Sequence, residues 1–166
     1  MWTLKGRSAV LLAVLVFVAD QITKGLILDF FEGDGVGEST VLIPGLFSLT
    51  YVRNRGGAFG LLADLPGLWG QAFFIVFALG TVALLVWMLR KTPVQDLIQR
   101  AALTLVIGGA AGNLYDRIRF GEVVDFLDVY VRGWHWPAFN VADSAITVGV
   151  ALLVISALRS SREASD

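Results

Sequence analysis

Four apolar stretches dominate the chain, at about 8–28, 69–89, 101–118 and 141–159, each near the roughly 20 residues a helix needs to cross a bilayer. That pattern limits the fold to a mainly α, polytopic membrane protein. Composition agrees: 56% of the residues are hydrophobic, 16% are charged, and the mean hydropathy is +0.72. The 166 residues leave room for the four spans and one modest extramembrane part, so a single domain over 1–166 is expected. The first span resembles a secretory signal, with Lys5 and Arg7 ahead of an apolar run. Its apolar character resumes after Asp20, however, and no small-residue cleavage pattern follows, so it reads as an uncleaved span.

Several function classes drop out. A net charge of -1 without a basic run gives no support for nucleic-acid binding. The absence of cysteine removes thiol nucleophiles, disulfides and thiolate metal sites. His135 is the single histidine, and no His-Glu-x-x-His pattern occurs, so a zinc site is not expected.

Two polar segments separate the spans on one side, about 29–68 and 119–140. The first opens with an acidic, glycine-rich loop and turns at Pro44-Gly45. Val41, Leu42 and Ile43 precede that turn, and residues 47–53 alternate after it as a half-exposed strand does, so a small sheet at the membrane surface is expected. Asn54-Arg55-Gly56-Gly57 then breaks the strand. By itself that stretch reads as an ordinary turn; Ala58 to Leu62 follow as an interfacial segment. With four spans, Lys5, Arg7, Arg90, Lys91, Arg100, Arg159 and Arg162 all fall on one side, which places both termini in the cytoplasm.

The informative residues are acids and amides at span ends. Asp20 and Lys24 are four apart, acid first, and can pair on one helix face. Gly108 to Gly112 form a small-residue stretch that lets another helix approach. Asn113, Asp116 and Arg117 follow with spacings that put them on adjoining parts of one face, and Asp116 could pair with Arg117 or Arg119. Asp125 lies among Val123, Val124, Phe126 and Leu127, a setting that disfavours a charged carboxyl. Asn140 is a good N-cap for the fourth helix, with Asp143 at N3, where the helix dipole favours charge. If the fold brings Asp125 and Asp143 together, one proton shared between them lets one acid activate water while the other protonates a leaving group. Taken singly, Asp143 also fits a structural role as a helix-start acid.

These residues resemble the bacterial lipoprotein signal peptidases, signal peptidase II, a family of intramembrane aspartyl proteases. The matching motifs are Asp20-Gln21-Ile22-Thr23-Lys24, Asn54-Arg55-Gly56-Gly57-Ala58-Phe59, Gly112-Asn113-Leu114-Tyr115-Asp116-Arg117, Val123-Val124-Asp125-Phe126 and Phe139-Asn140-Val141-Ala142-Asp143. Gly57 departs from the alanine common there. The resemblance implies Asp125 and Asp143 as the catalytic dyad. It implies that Asp20, Lys24, Asn54, Gly56, Asn113, Asp116, Arg117 and Asn140 support the dyad or bind substrate. It further implies four spans with a small periplasmic sheet and an interfacial helix. The expected substrate is a diacylglyceryl-modified prolipoprotein, cut before the lipidated cysteine, with no metal or organic cofactor. The expected setting is the bacterial inner membrane, among membrane lipids, with the active site near the periplasmic face, and the expected state is a monomer. The segment 54–60 is a candidate lid.

Two other readings use the same residues. A serine intramembrane protease needs a nucleophile elbow that the chain lacks. A proton-coupled transporter could use the intramembrane acids as a relay, but the acids gather near one face and no inverted repeat is visible.

Overall fold

A computed structural model describes residues 4–32, 35–56 and 67–163. Among these are four long helices and a four-stranded sheet: α1 (Leu4–Phe30), β1 (Ser39–Ile43), β2 (Phe47–Asn54), α2 (Gly67–Lys91), α3 (Leu97–Phe120), β3 (Val123–Val131), β4 (Trp134–His135) and α4 (Val141–Glu163). Each helix is long and apolar enough to cross a membrane. The interfacial segment expected at 58–62, and Gly57, lie outside the described residues.

The burial pattern inverts that of a water-soluble protein. Outward-facing Leu26, Val76, Phe77 and Leu158 are more than half exposed, whereas Asp20, Asp116 and Asn140 are fully buried and Lys24 nearly so. An apolar exterior around a polar centre suits lipid as solvent.

Helix α3 is central, packing against α1, α2 and α4. It starts earlier than hydropathy alone indicates because Asp96 caps it, accepting from the Gln99 N–H at 3.0 Å. It stops at Gly121, whose φ of 77° closes the last turn with a bond to Arg117 O. The expected small-residue packing is present. A Cβ on Gly108 would stand 2.8 Å from Ala13 O of α1, and one on Gly149 of α4 would stand 2.6 Å from Val106 Cγ2 of α3. At Gly112 the neighbour is a buried carboxylate, Asp20 Oδ2, 2.5 Å from the added carbon. Gly112→Ala is therefore expected to push Asp20 out of place and cost about 1–3 kcal/mol, measured as a lowered unfolding midpoint in detergent. An unchanged midpoint would show that the α1–α3 contact is looser than the distances indicate.

The sheet is antiparallel in the order β1-β2-β3-β4. The expected alternation of β2 is present, and its Ser48–Thr50 face is the more buried one: Ser48 and Thr50 are covered, and Phe47, Leu49 and Tyr51 are half-buried. β2 is an interior strand, paired on both edges, and Thr50 donates its hydroxyl to Glu38 O at 3.2 Å. β3 was not apparent as a strand, because neighbouring Val123, Val124, Asp125 and Phe126 are all buried and leave no alternation to read. Ile27 and Phe31 at the end of α1 pack against Val124 and Phe126, which seats the sheet on the bundle.

Beyond β4 the chain returns alongside β3. Phe139 O accepts from the Phe126 and Leu127 N–H groups, and Phe139 N–H donates to Leu127 O at 3.0 Å. This return delivers Asn140 and the start of α4 to the strand that carries Asp125.

Candidate active site

Asn140 joins the two strongest candidates. Its side-chain Oδ1 accepts from the Asp143 N–H at 2.9 Å, and its own N–H donates to Asp143 Oδ2 at 3.2 Å, a reciprocal cap with aspartate at N3. Because Oδ1 is taken by a backbone donor, Nδ2 must point the other way. It donates to Asp125 Oδ1 at 2.7 Å.

Two further amides complete the arrangement by the same logic. Asn54 Oδ1 accepts from the Gly56 N–H at 2.9 Å, which aims Nδ2 at Asp125 Oδ2, 3.0 Å away. Asn113 Oδ1 accepts from Lys24 Nζ at 3.0 Å, which aims its Nδ2 at Asp143 Oδ1, 2.8 Å away. An ammonium can only donate, so Lys24 dictates which end of Asn113 meets the acid. Each of the four carboxylate oxygens thus has one protein donor and keeps a lone pair for a shared proton or a water.

Burial pushes the Asp125 carboxyl up to about 7, with the nearby Asp143 adding to the effect. Hydrogen bonds from Asn54 and Asn140 and the charge of Lys24 oppose it. The setting expected for Asp125 is therefore present.

Behind the pair lies a buried ionic cluster. Lys24 Nζ stands 2.8 Å from both Asp20 Oδ2 and Asp116 Oδ2, so the expected Asp20–Lys24 pair exists but is shared. Asp116 pairs with neither Arg117 nor Arg119. It faces α1 instead, where Lys24 and Gln21 reach it, and Oδ2 accepts from the Val124 N–H of β3 at 3.2 Å. Asp20 Oδ1 accepts from the Ala142 N–H at the start of α4 at 2.9 Å. These two acids therefore anchor the elements that carry Asp125 and Asp143. Arg117 stays on the Asn113 side of α3 but reaches away from the ionic cluster, donating to Gly56 O and lying 4.3 Å from the Phe74 ring centroid.

Asn54, Gly56, Asn113, Arg117, Asp125 and Asp143 line one cavity of about 650 Å³, whose apolar wall runs through Phe139 and Ile146 to the exposed Val148. Asp128 is not part of it and pairs with His135 at 3.0 Å. Sequence reasoning gave no role to Gln21, which bonds Asp20, Asp116 and Gly112 O, or to Phe74 beneath Arg117. An amide beside Asp20 in an otherwise apolar span was the available signal for the first; the second had none. Among the described residues no group of three or more His, Cys, Asp or Glu is placed to hold a metal.

Acids buried on apolar helices and a carboxylate pair at a cavity fit one class, the multi-pass membrane aspartic peptidases, and comparisons with known proteins bear that class out. A family model described as Signal peptidase (SPase) II matches residues 12–159. The chain is 48% identical to the lipoprotein signal peptidase of Syntrophotalea carbinolica over 153 residues, 92% of each chain. It is 44% identical to that of Haemophilus influenzae, covering 95% of this chain and 90% of the relative. A bacterial membrane enzyme solved by the in meso method at 2.3 Å superposes with a TM-score of 0.80 at 36% identity, covering 93% of this chain and 89% of that one. The chain belongs to the signal peptidase II family.

Proposed function

We propose that Asp125 and Asp143 are the catalytic pair of this lipoprotein signal peptidase, which removes signal peptides from prolipoproteins. The observation that carries the assignment is Asn140, which binds both carboxyls at once and sets them at one cavity. In the single-proton state, the charged carboxylate takes a proton from water as its oxygen bonds to the scissile carbonyl carbon. The other carboxyl gives its proton to the amine as the carbon–nitrogen bond breaks, and the pair ends with one proton again. No metal or organic cofactor enters these steps. Asp20, Lys24, Asn54, Gly56, Asn113, Asp116, Arg117 and Asn140 hold the pair and its walls through the contacts described above.

The substrate is a diacylglyceryl-modified prolipoprotein, cut before the lipidated cysteine. The apolar wall that runs along α4 to Val148 supports this reading, since acyl chains entering from the bilayer meet it beside the acids. Basic residues at the span ends favour both termini in the cytoplasm, which puts the sheet and the pair at the periplasmic face of the inner membrane. The enzyme acts as a single-domain monomer among membrane lipids.

Cleavage of a diacylglyceryl-modified prolipoprotein peptide tests the assignment through its pH profile. Burial and Asp143 push the Asp125 carboxyl up to about 7, so activity that needs the pair's one proton is expected to fall as pH rises through that region. The Asn54 hydrogen bond favours the charged form, and losing it raises the Asp125 value further. Asn54→Ala is therefore expected to move the alkaline limb to higher pH. A limb that stays put, or moves down, would remove Asp125 from the titrating pair.

A further inference from the structure

The last residue of α3, Phe120, has two guanidinium groups against its ring. Arg53 Cζ of β2 lies 4.8 Å from the ring centroid and Arg119 Cζ lies 4.7 Å from it. Two like charges are thus held within about 10 Å of each other, close to the Debye length at physiological salt. Arg53 donates Nε to Tyr51 Oη at 2.7 Å, its outer nitrogens carry no hydrogen bond among the described residues, and Arg119 is exposed. Among the described residues, no carboxylate lies within ion-pairing distance of either. Two acids near them along the chain are committed elsewhere: Glu122 binds Arg55 at 3.0 Å, and Asp116 binds Lys24 at 2.8 Å.

The depth of this pair indicates what neutralises it. α3 ends here at its Gly121 cap, and Gln71 in the first turns of α2 donates to Arg117 O. Trp69, two residues earlier on α2, is 80% exposed. A bare tryptophan where two apolar helices end marks the headgroup level of a bilayer. At that level the abundant anion is the lipid phosphodiester. A guanidinium's planar fork of N–H donors matches phosphate oxygens in pairs, and both forks stand beside the Phe120 ring.

We propose that Arg53 and Arg119, held against Phe120, form a binding site for the phosphodiester headgroup of an anionic phospholipid. The site is separate from the carboxylate pair and does not depend on the peptidase reading.

The test is native mass spectrometry of the full chain in detergent, titrated with phosphatidylglycerol or with phosphatidylcholine of matched acyl chains. The unaltered protein is expected to retain phosphatidylglycerol at about tenfold lower lipid concentration than phosphatidylcholine. Arg53→Gln with Arg119→Gln is expected to erase the difference, and Arg90→Gln at the far end of α2 to leave it. Arg119 is exposed, so Arg119→Gln alone, with its melting midpoint unchanged, keeps the test valid if the double variant does not fold; it should cut the preference several-fold. Equal retention of the two lipids by the unaltered protein would overturn the proposal. So would a preference that survives Arg119→Gln. Inorganic phosphate is expected not to displace the retained lipid at equal concentration; displacement would mark a site for free phosphate and overturn the lipid assignment.

Discussion

Asp125→Asn and Asp143→Asn are each expected to lower turnover of a diacylglyceryl-modified prolipoprotein peptide by at least about 10³-fold, within the range that positioned acid–base groups contribute. Substrate binding and the unfolding midpoint should change far less than turnover. Asparagine is close in shape to aspartate and keeps one acceptor oxygen, so one of the two donors at each site retains its partner and the other meets an NH2 group. What is lost is the ability to take and return a proton. Asp128→Asn serves as the internal control, since Asp128 lies on the same strand but pairs with His135 away from the cavity. Full activity in either member of the pair would end the two-aspartate mechanism and turn attention to Asp116.

Lys24→Met is expected to have the largest effect on stability, a loss of about 3–5 kcal/mol, because it leaves two buried carboxylates without their cation. Lys24 is 2% exposed, and its three donors are all used, on Asp20, Asp116 and Asn113. Thermal unfolding in detergent would report the loss. Adding Asp116→Asn returns the cluster to its original formal charge and should recover part of the stability. It should not recover full turnover, because Asn113 Oδ1 then keeps only the 3.2 Å bond from Asn140 Nδ2 to hold its own Nδ2 toward Asp143. A Lys24→Met protein that melts and cleaves normally would show that the cluster is dispensable and that Asn113 is oriented by other means.

The two experiments probe different layers of one arrangement. Asp125 and Asp143 come from a strand and a helix that have no covalent reason to meet. Asp20 and Asp116 fasten those elements by their backbone N–H groups, at Ala142 and Val124 respectively. Lys24 then balances the charge that this fastening brings into the bundle. A buried ionic cluster adds little net stability against an apolar alternative. Its value here is the position and polarity it imposes on the pair.

Much of this was legible from residue order. The four spans follow from hydropathy, and the start of α4 follows from Asn140 with Asp143 three residues on. The apolar neighbours of Asp125 announced its raised carboxyl. Other features were not legible. β3 carries no alternation because its first four residues are all buried. Asp116 has two arginines within one helical turn, so local spacing pointed to them, whereas its real partner is Lys24 on another helix. Gln21 carried only the signal of an amide in an apolar span.

The sequence by itself determined the number and approximate positions of the apolar helices, the cap that opens α4 and the set of acids at the span ends. These depend on free energies that act within one or two helical turns, so a short window of residues contains them. Tertiary structure decided which acids meet. Asp116, Asp125, Asp128 and Asp143 all border the same polar segment, yet one is sealed against Lys24, one is paired with His135, and two share Asn140. Those outcomes turn on how the return from β4 lays Phe139 against Leu127 and how closely Gly109 and Gly112 let α4 and α1 approach α3. Such contacts join residues far apart in the chain, and no local window holds both partners.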